Sequence, residues 1–301
     1  MDKILNFGSL NYDYVYDVEH FVKAGETIAS TKRTTFCGGK GLNQSIALSR
    51  ARARVYHAGS VGNDGGELVR TLSDNQVDTS FINIADCASG HAIIQREANG
   101  QNCILLYGGA NQMISGSHIE KALADFGEGD YLVLQNEINN VARILERAKA
   151  KGMRIALNPS PMNEIIHALP LELVDIFVLN EIEAESLCGE ATAAAAPEQA
   201  IEQLIRRFPT AAIVLTLGEN GVIYQDSSLP TPLKHGIYDV PVVDTTAAGD
   251  TFTGFFVACV SKGESIAYAL KTASIASSLA VSRPGAAPSI PAIAEVLSFC
   301  Y

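Results

Sequence analysis

The chain has no tryptophan and only six cysteines in 301 residues, with no Cys-x-x-Cys pair among them. That scatter argues against a zinc ribbon or a thiol-redox motif. Cys37, Cys87, Cys103, Cys188, Cys259 and Cys300 are expected as unbridged thiols. No run of eighteen apolar residues occurs, so no membrane span is expected. The first residues, MDKILNFGSL, lack the long apolar core and small-residue cleavage site of a secretory leader, which points to a cytoplasmic protein. Positive charge is scarce: 22 Lys and Arg against 33 Asp and Glu leave a net charge of −11. An acidic surface argues against nucleic acid as the partner, because phosphate neutralisation needs a basic face. It does not exclude a small phosphorylated ligand held by a few local donors. Several catalytic templates are missing too. There is no GxxxxGK[ST] P-loop, no GxGxxG after the first strand, no HExxH helix and no GxSxG elbow, and the six histidines stand singly.

What is present is a chain long enough for a substantial core, 47% hydrophobic. From Tyr131 to Leu217 the pattern alternates. YLVLQ, RIALN, DIFVLN and AAIVLTLG read as buried strands. NNVARILERAKAKG, EAESLCG and PEQAIEQLIRRF read as helices between and after them, the last with Ile201, Leu204, Ile205 and Phe208 on one face. Apolar strands alternating with amphipathic helices predict βαβ units and a mostly parallel sheet covered on both sides. The N-terminal third differs. YDYVYDV, IASTKRTTF, GHAIIQRE and QNCILLY are short, partly alternating and rich in β-branched and aromatic residues. They predict a small antiparallel sheet made of two insertions, about residues 12–36 and 89–108, serving as a lid or dimer surface. The alternative is extra edge strands of the main sheet. Helices are expected at Ala248–Ser261, at Ile266–Val281 and from Pro291 onward, and ATAAAAPE is expected as a surface loop.

Three segments carry candidate chemistry. In FCGGKGLNQS, the glycines Gly38, Gly39 and Gly41 permit close approach of a ligand to the main chain. The helix expected to follow offers free amides to a polar or anionic group. Lys40 and Asn43 stand three apart and point the same way on a first turn. In GSLNYD, Asn11 and Asp13 follow the first strand, at the edge where open α/β sheets bind ligands. An amide and a carboxylate two apart suit a polyol. In VDTTAAGDTF, Asp244 is read as ending a strand. Ala247, Ala248 and Gly249 keep side chains minimal, so backbone N–H groups face a phosphate at the helix start. Asp250 in the first helical turn is placed to accept a proton from an attacking hydroxyl, and a carboxylate of ordinary pKa suffices because that proton is acidic late in transfer. The plainer readings are a tight glycine turn, an Asx turn and a helix-dipole partner respectively.

Taken in order, GSLNYD, FCGGKGLNQ, GGANQ, NPSP, NEIEAE, LTLGENG, DTTAAGDTF and RPGAAPS resemble the motifs of the ribokinase branch of the PfkB sugar-kinase family across the whole chain. The resemblance implies a single ATP-dependent kinase domain, residues 1–301, with a three-layer α/β/α core and a β lid. It implies Asp250 as catalytic base and the amides of Ala247, Ala248 and Gly249 as anion hole. Asn11, Asp13, Gly39, Lys40, Asn43 and Glu137 would hold the sugar. Asn180 and Glu183 match the NxxE motif associated with Mg²⁺ and phosphate, and Thr216, Gly218, Gly221 and Ser274 would line the nucleotide. An activating monovalent cation, usually K⁺, would sit by Asp244, Thr246, Ala280, Arg283, Gly285 and Ser289, mostly through carbonyl oxygens. The implied reaction is phosphorylation of D-ribose. Another unphosphorylated sugar, a sugar acid or a nucleoside is the alternative acceptor, and a non-catalytic binding regulator is the reading from a different class. The implied assembly is a homodimer through the lid. Leu42, His91 and Pro284 depart from the common family pattern and bear on sugar identity and the cation loop.

Overall fold

The computed structural model describes residues 2–98, 101–189 and 196–299. Residues 191–195 of the expected surface loop, and Cys300, lie outside these. The strands are β1 (Lys3–Phe7), β2 (Asn11–Asp17), β3 (Lys32–Gly38), β4 (Arg54–Gly62), β5 (Asp78–Ala85), β6 (Gly90–Arg96), β7 (Asn102–Tyr107), β8 (Tyr131–Gln135), β9 (Arg154–Asn158), β10 (Ile176–Asn180), β11 (Ala212–Thr216), β12 (Val222–Gln225) and β13 (Leu233–His235). The helices are α1 (Lys40–Arg50), α2 (Gly66–Asp74), α3 (Gly116–Leu123), α4 (Val141–Ala150), α5 (Glu181–Cys188), α6 (Pro197–Arg207), α7 (Ala248–Ser261), α8 (Ile266–Val281) and α9 (Ile293–Leu297).

Nine strands form one sheet in the order β13-β12-β11-β10-β9-β8-β1-β4-β5. Its pairs are parallel except those of β12 with its two neighbours. The strand pattern explains why both faces are covered. Successive side chains point to opposite sides, and both sets are apolar. Ile4 and Val133 pack with Leu42, Ile46, Phe255 and Leu270 from α1, α7 and α8. Leu5 and Leu132 pack with Ile144, Leu145, Ile201 and Leu204 from α4 and α6. Helix α7 is buried nearly all round, as its apolar sequence demands. A Cβ at Gly254 would lie 2.4 Å from Ala47 Cβ, so α7 and α1 meet almost backbone to backbone. That contact brings the N-termini of the two helices together.

The second sheet, β3-β2-β6-β7, is separate from the first. It consists of two antiparallel hairpin pairs, with a parallel join between β2 and β6. The insertions therefore form a sheet of their own and do not extend the main one.

One local expectation is corrected. Asp244 does not end a strand. Val242 and Val243 are exposed, and the amides of Val243 and Asp244 donate to the carbonyl of Val281 at the end of α8. The β-branched pair is held by a helix terminus, without a neighbouring strand.

Candidate active site

The chain runs from β1 outward to β4 and β5, then returns to β8 on the other side of β1 and continues to β11. The carboxyl ends of β1 and β8 therefore flank the switch in strand order, where a crevice forms. Ser9, just past β1, donates a hydrogen bond to Glu137, just past β8. The backbone N–H of Lys40 donates to the same Glu137 oxygen at 2.9 Å. Gly39 precedes α1 with φ 91°, a left-handed conformation that glycine adopts without strain, and it sets the entry angle of that helix. Farther along the same edge, Gln135 lies in register with Asn158, and Asn180 with Thr216.

Asp250, on the first turn of α7, is buried against α1. Asn43 Nδ2 and Gln44 Nε2 each donate to one of its oxygens at 2.9 Å. Burial pushes the Asp250 carboxyl above its ordinary range, opposed by Lys40 and by those two hydrogen bonds. The ordinary pKa expected from sequence is thus replaced by a raised one. Burial likewise raises Glu137 and Glu183. Burial would lower Lys40, but the carboxylates of Asp250, Glu137 and Glu183 together hold its ammonium above the usual range. Asp13, on β2, is raised to about 7 by burial and by the charges of Glu137 and Asp250. The small sheet therefore hangs one carboxylate over a group of three, with Lys40 among them.

The amides before Asp250 divide. Ala247 is buried, and Ala248 N–H donates to Thr245 O at 3.2 Å. The first helical bond runs from Thr251 N–H to Ala247 O, so the Gly249 and Asp250 amides stand ahead of it. Gly249 is exposed, and a Cβ there would meet nothing within 4 Å. Of the expected anion hole, Gly249 is the most open member. A cavity of about 90 Å³ lies beside it, lined by Lys40, Asn158, Ser160, Asn180, Glu183, Thr216, Thr246 and Asp250 among others.

Asn180 and Glu183 form a reciprocal cap on α5. Asn180 Oδ1 accepts from Glu183 N–H at 2.9 Å, and the Glu183 carboxylate accepts from Asn180 N–H at 3.0 Å. The NxxE spacing thus begins a helix as well as facing the cavity. Gly218 and Gly221 bound the turn after β11, and Gly221 at φ 86° lies against the His235 carbonyl. Ser274 is buried on α8, outside the cavity lining.

The cation-loop residues are brought together only in part. Asp244 Oδ1 accepts from Thr246 N–H and Oγ1 at 3.0 and 2.5 Å, and Oδ2 accepts from Gly285 N–H at 3.0 Å. Burial opposes its ionisation, but these hydrogen bonds win and lower its pKa. Ala280 O accepts from Arg283 N–H at 3.1 Å. The Arg283 guanidinium pairs with Glu295 at 2.6 Å, leaving only its backbone for the loop. Ser289 Oγ donates to Ala286 O. Among the described residues no three His, Cys, Asp or Glu side chains form a metal-binding group. No helix there is long and apolar enough to cross a membrane.

Sequence reasoning left Ser9, Gln44, Asn111 and Asn158 without roles. Asn111 Nδ2 donates to Asn11 Oδ1 at 2.7 Å and so sets the Asn11 amide. Each of these residues sits inside or beside a quoted motif, but only the contacts across the crevice single it out.

The family description "pfkB family carbohydrate kinase" matches residues 1–293. A Staphylococcus aureus ribokinase is 35% identical over 98% of this chain and 98% of its own length. A Cryptococcus neoformans ribokinase solved in complex with ADP aligns over 99% of both chains with TM-score 0.87 and 31% identity. An Arabidopsis thaliana ribokinase complexed with ribose and ATP aligns over 100% of both, with TM-score 0.87 and 28% identity. With its mostly parallel sheet, separate small sheet and buried aspartate at the start of α7, the chain belongs to the pfkB family of carbohydrate kinases.

Proposed function

We propose that this chain transfers the γ-phosphoryl group of ATP to a hydroxyl of an unphosphorylated sugar, with D-ribose as the preferred acceptor and ribose 5-phosphate as product. The observation that carries the reading is Asp250: a buried carboxylate at the amide-rich start of a helix, beside Lys40 and opposite Asp13 and Glu137. The full-length likeness to relatives solved with ribose, ATP or ADP supports the choice of substrates.

Phosphoryl transfer asks the protein mainly for positioning and charge stabilisation. Asn11, Asp13, Gly39, Lys40, Asn43 and Glu137 would hold the sugar hydroxyls. Asp250 would orient the attacking hydroxyl and accept its proton. Burial raises the Asp250 pKa, which makes it a stronger base than a free aspartate. The amides of Ala247, Ala248 and Gly249 would receive the charge that builds on the transferring group, with Gly249 carrying most of the contact. Thr216, Gly218, Gly221 and Ser274 would flank the nucleotide. Mg²⁺ would supply neutralisation of the phosphate charge. Asn180 and Glu183, in the cavity wall, would face it with oxygen donors, the ligand type a hard cation takes. For K⁺, the anionic Asp244 with Thr246 and Gly285 beside it would begin an oxygen-rich donor set, which backbone carbonyls of Ala280, Arg283, Gly285 and Ser289 would complete.

The reading treats residues 1–301 as one kinase unit. The small sheet would act as lid and as dimer surface. On edge strand β7, Ile104 and Leu105 are 56% and 67% exposed, which is costly on a lone sheet and useful against a second copy. The reading places the chain in the cytoplasm. The test is ADP release with ATP, Mg²⁺ and K⁺ across a panel of unphosphorylated acceptors. D-ribose is expected to have the highest kcat/KM, and Asp250→Asn is expected to lose turnover while still binding ribose. No ADP release with ribose removes the assignment, and near-normal kcat in Asp250→Asn removes the base.

A further inference from the structure

The two amides that grip Asp250 are not equivalent. Asn43 Nδ2 donates to Oδ2, and Asn43 Oδ1 is buried without a hydrogen-bond partner. Gln44 Nε2 donates to Oδ1, and the Gln44 amide is committed at both ends to other groups.

Those commitments begin at backbone carbonyls, which only accept. Val178 O takes Asn158 Nδ2 at 3.0 Å, which turns Asn158 Oδ1 toward Gln44. Gln44 must then offer its nitrogen, at 3.3 Å. On the other side, Gly41 O takes Asn6 Nδ2 at 2.7 Å. Asn6 Oδ1 is thereby turned toward Gln135, which must offer its nitrogen, at 2.9 Å. The same Gln135 nitrogen reaches Gln44 Oε1 at 2.7 Å. Gln44 thus has an obligatory acceptor on its nitrogen side and an obligatory donor on its oxygen side. Neither constraint passes through Asp250. Asn6, Gln44 and Gln135 are all buried, so water does not compete for these bonds.

We propose that Gln44 is a positioning residue, locked through Gln135 and Asn158 to donate to Asp250 Oδ1 in every protonation state of Asp250, so that the proton of the acceptor hydroxyl goes to Oδ2. The inference rests on Asp250 being the base. In the step, the acceptor O–H bond breaks and its proton moves to Oδ2. The acceptor oxygen bonds to the γ-phosphorus, and the bond from that phosphorus to ADP breaks, its electron pair leaving with ADP. Asn43 serves Oδ2 because turning its amide presents the unpartnered Oδ1 to the new O–H.

The charged groups facing Asp250 are Lys40 from α1, Glu137 after β8, Glu183 from α5 and Asp13 from β2. Against that background the Gln44 hydrogen bond favours the ionised carboxylate. Without it, the Asp250 pKa rises further. Asp250 acts only when ionised, so activity is lost as pH falls through its pKa, and a higher pKa moves that loss to higher pH.

The test compares kcat and ribose KM against pH for the wild type, Gln44→Met and Gln135→Met. Both variants are expected to move the acid limb of kcat to higher pH. On that limb kcat at a given pH should fall about tenfold or more, the scale of a lost hydrogen bond to a charged group, with ribose KM nearly unchanged. A uniform fall in kcat with the acid limb in place, as plain destabilisation would give, overturns the proposal. If Gln135→Met does not fold, Gln44→Met decides by the same two outcomes. Turnover retained in Asp250→Asn would instead refute the base assignment itself, and so separates that failure from failure of the lock.

Discussion

Asp13 should make ribose binding and stability respond oppositely to pH. Its carboxyl is raised from 3.8 to about 7 by burial, reinforced by Glu137 and Asp250. A raised acid binds more protons in the folded state than in the unfolded state between those two values. Stability therefore falls as pH rises from about 4 to about 7, and the cost persists above. The full linkage value of that difference is about 4 kcal/mol. Asp13 is only half-buried, so solvent screening brings the expected cost nearer 2 kcal/mol. Asp13→Asn removes it, and above neutral pH the melting temperature should rise by about 4 °C. Sugar binding runs the other way. The ionised carboxylate is the stronger acceptor for hydroxyls, so ribose affinity should increase as pH rises through about 7 and lose that dependence in Asp13→Asn. Calorimetric titration of ribose without nucleotide, with thermal unfolding across the same pH series, reads both. Glu137→Gln removes one repelling charge and should move the binding inflection to lower pH. A ribose affinity indifferent to pH in the wild type, or an Asp13→Asn variant that keeps the inflection, would refute the reasoning.

Three further outcomes are expected. A Cβ at Gly38 would lie 2.1 Å from Asp13 Oδ2, the movable end of a side chain, so Gly38→Ala should raise ribose KM about tenfold with little change in melting temperature; equal KM in variant and wild type counts against Asp13 as a sugar ligand. Asp244→Ala removes the carboxylate bonded to Thr246 and Gly285, and K⁺ titrations monitored by thermal shift and by kcat should lose their dependence on the ion. A K⁺ response equal to wild type moves the cation elsewhere. Leu105→Glu puts a charge on the exposed edge strand β7 and should shift sedimentation from dimer to monomer; a dimer of unchanged affinity rejects the lid as its surface.

The parallel core was legible because its strands are apolar on both faces and its helices on one. YLVLQ and RIALN occupy β8 and β9 residue for residue, and α7 and α8 begin and end where their apolar runs do. The separate small sheet was legible in the polar, β-branched character of its strands. Its parallel join of β2 to β6 was not, because pairing between two hairpins distant in sequence leaves no local trace. Asp244 was misread for a related reason. Val242 and Val243 favour extended backbone, but nothing nearby in sequence tells whether a strand or the carbonyl at the end of α8 will accept their hydrogen bonds.

The residues of the site fall along the same division. The glycines around Lys40, the small residues before Asp250 and the Asn180–Glu183 spacing are local devices for starting helices and exposing amides, so the sequence alone determined them. The raised pKa of Asp250, the charge on Lys40 and the fixed direction of the Gln44 amide depend on partners from 91 to 210 residues away. Only the packing of α7 on α1, over the switch between β1 and β8, brings those partners close enough, and removes enough water, for their charges and hydrogen bonds to act.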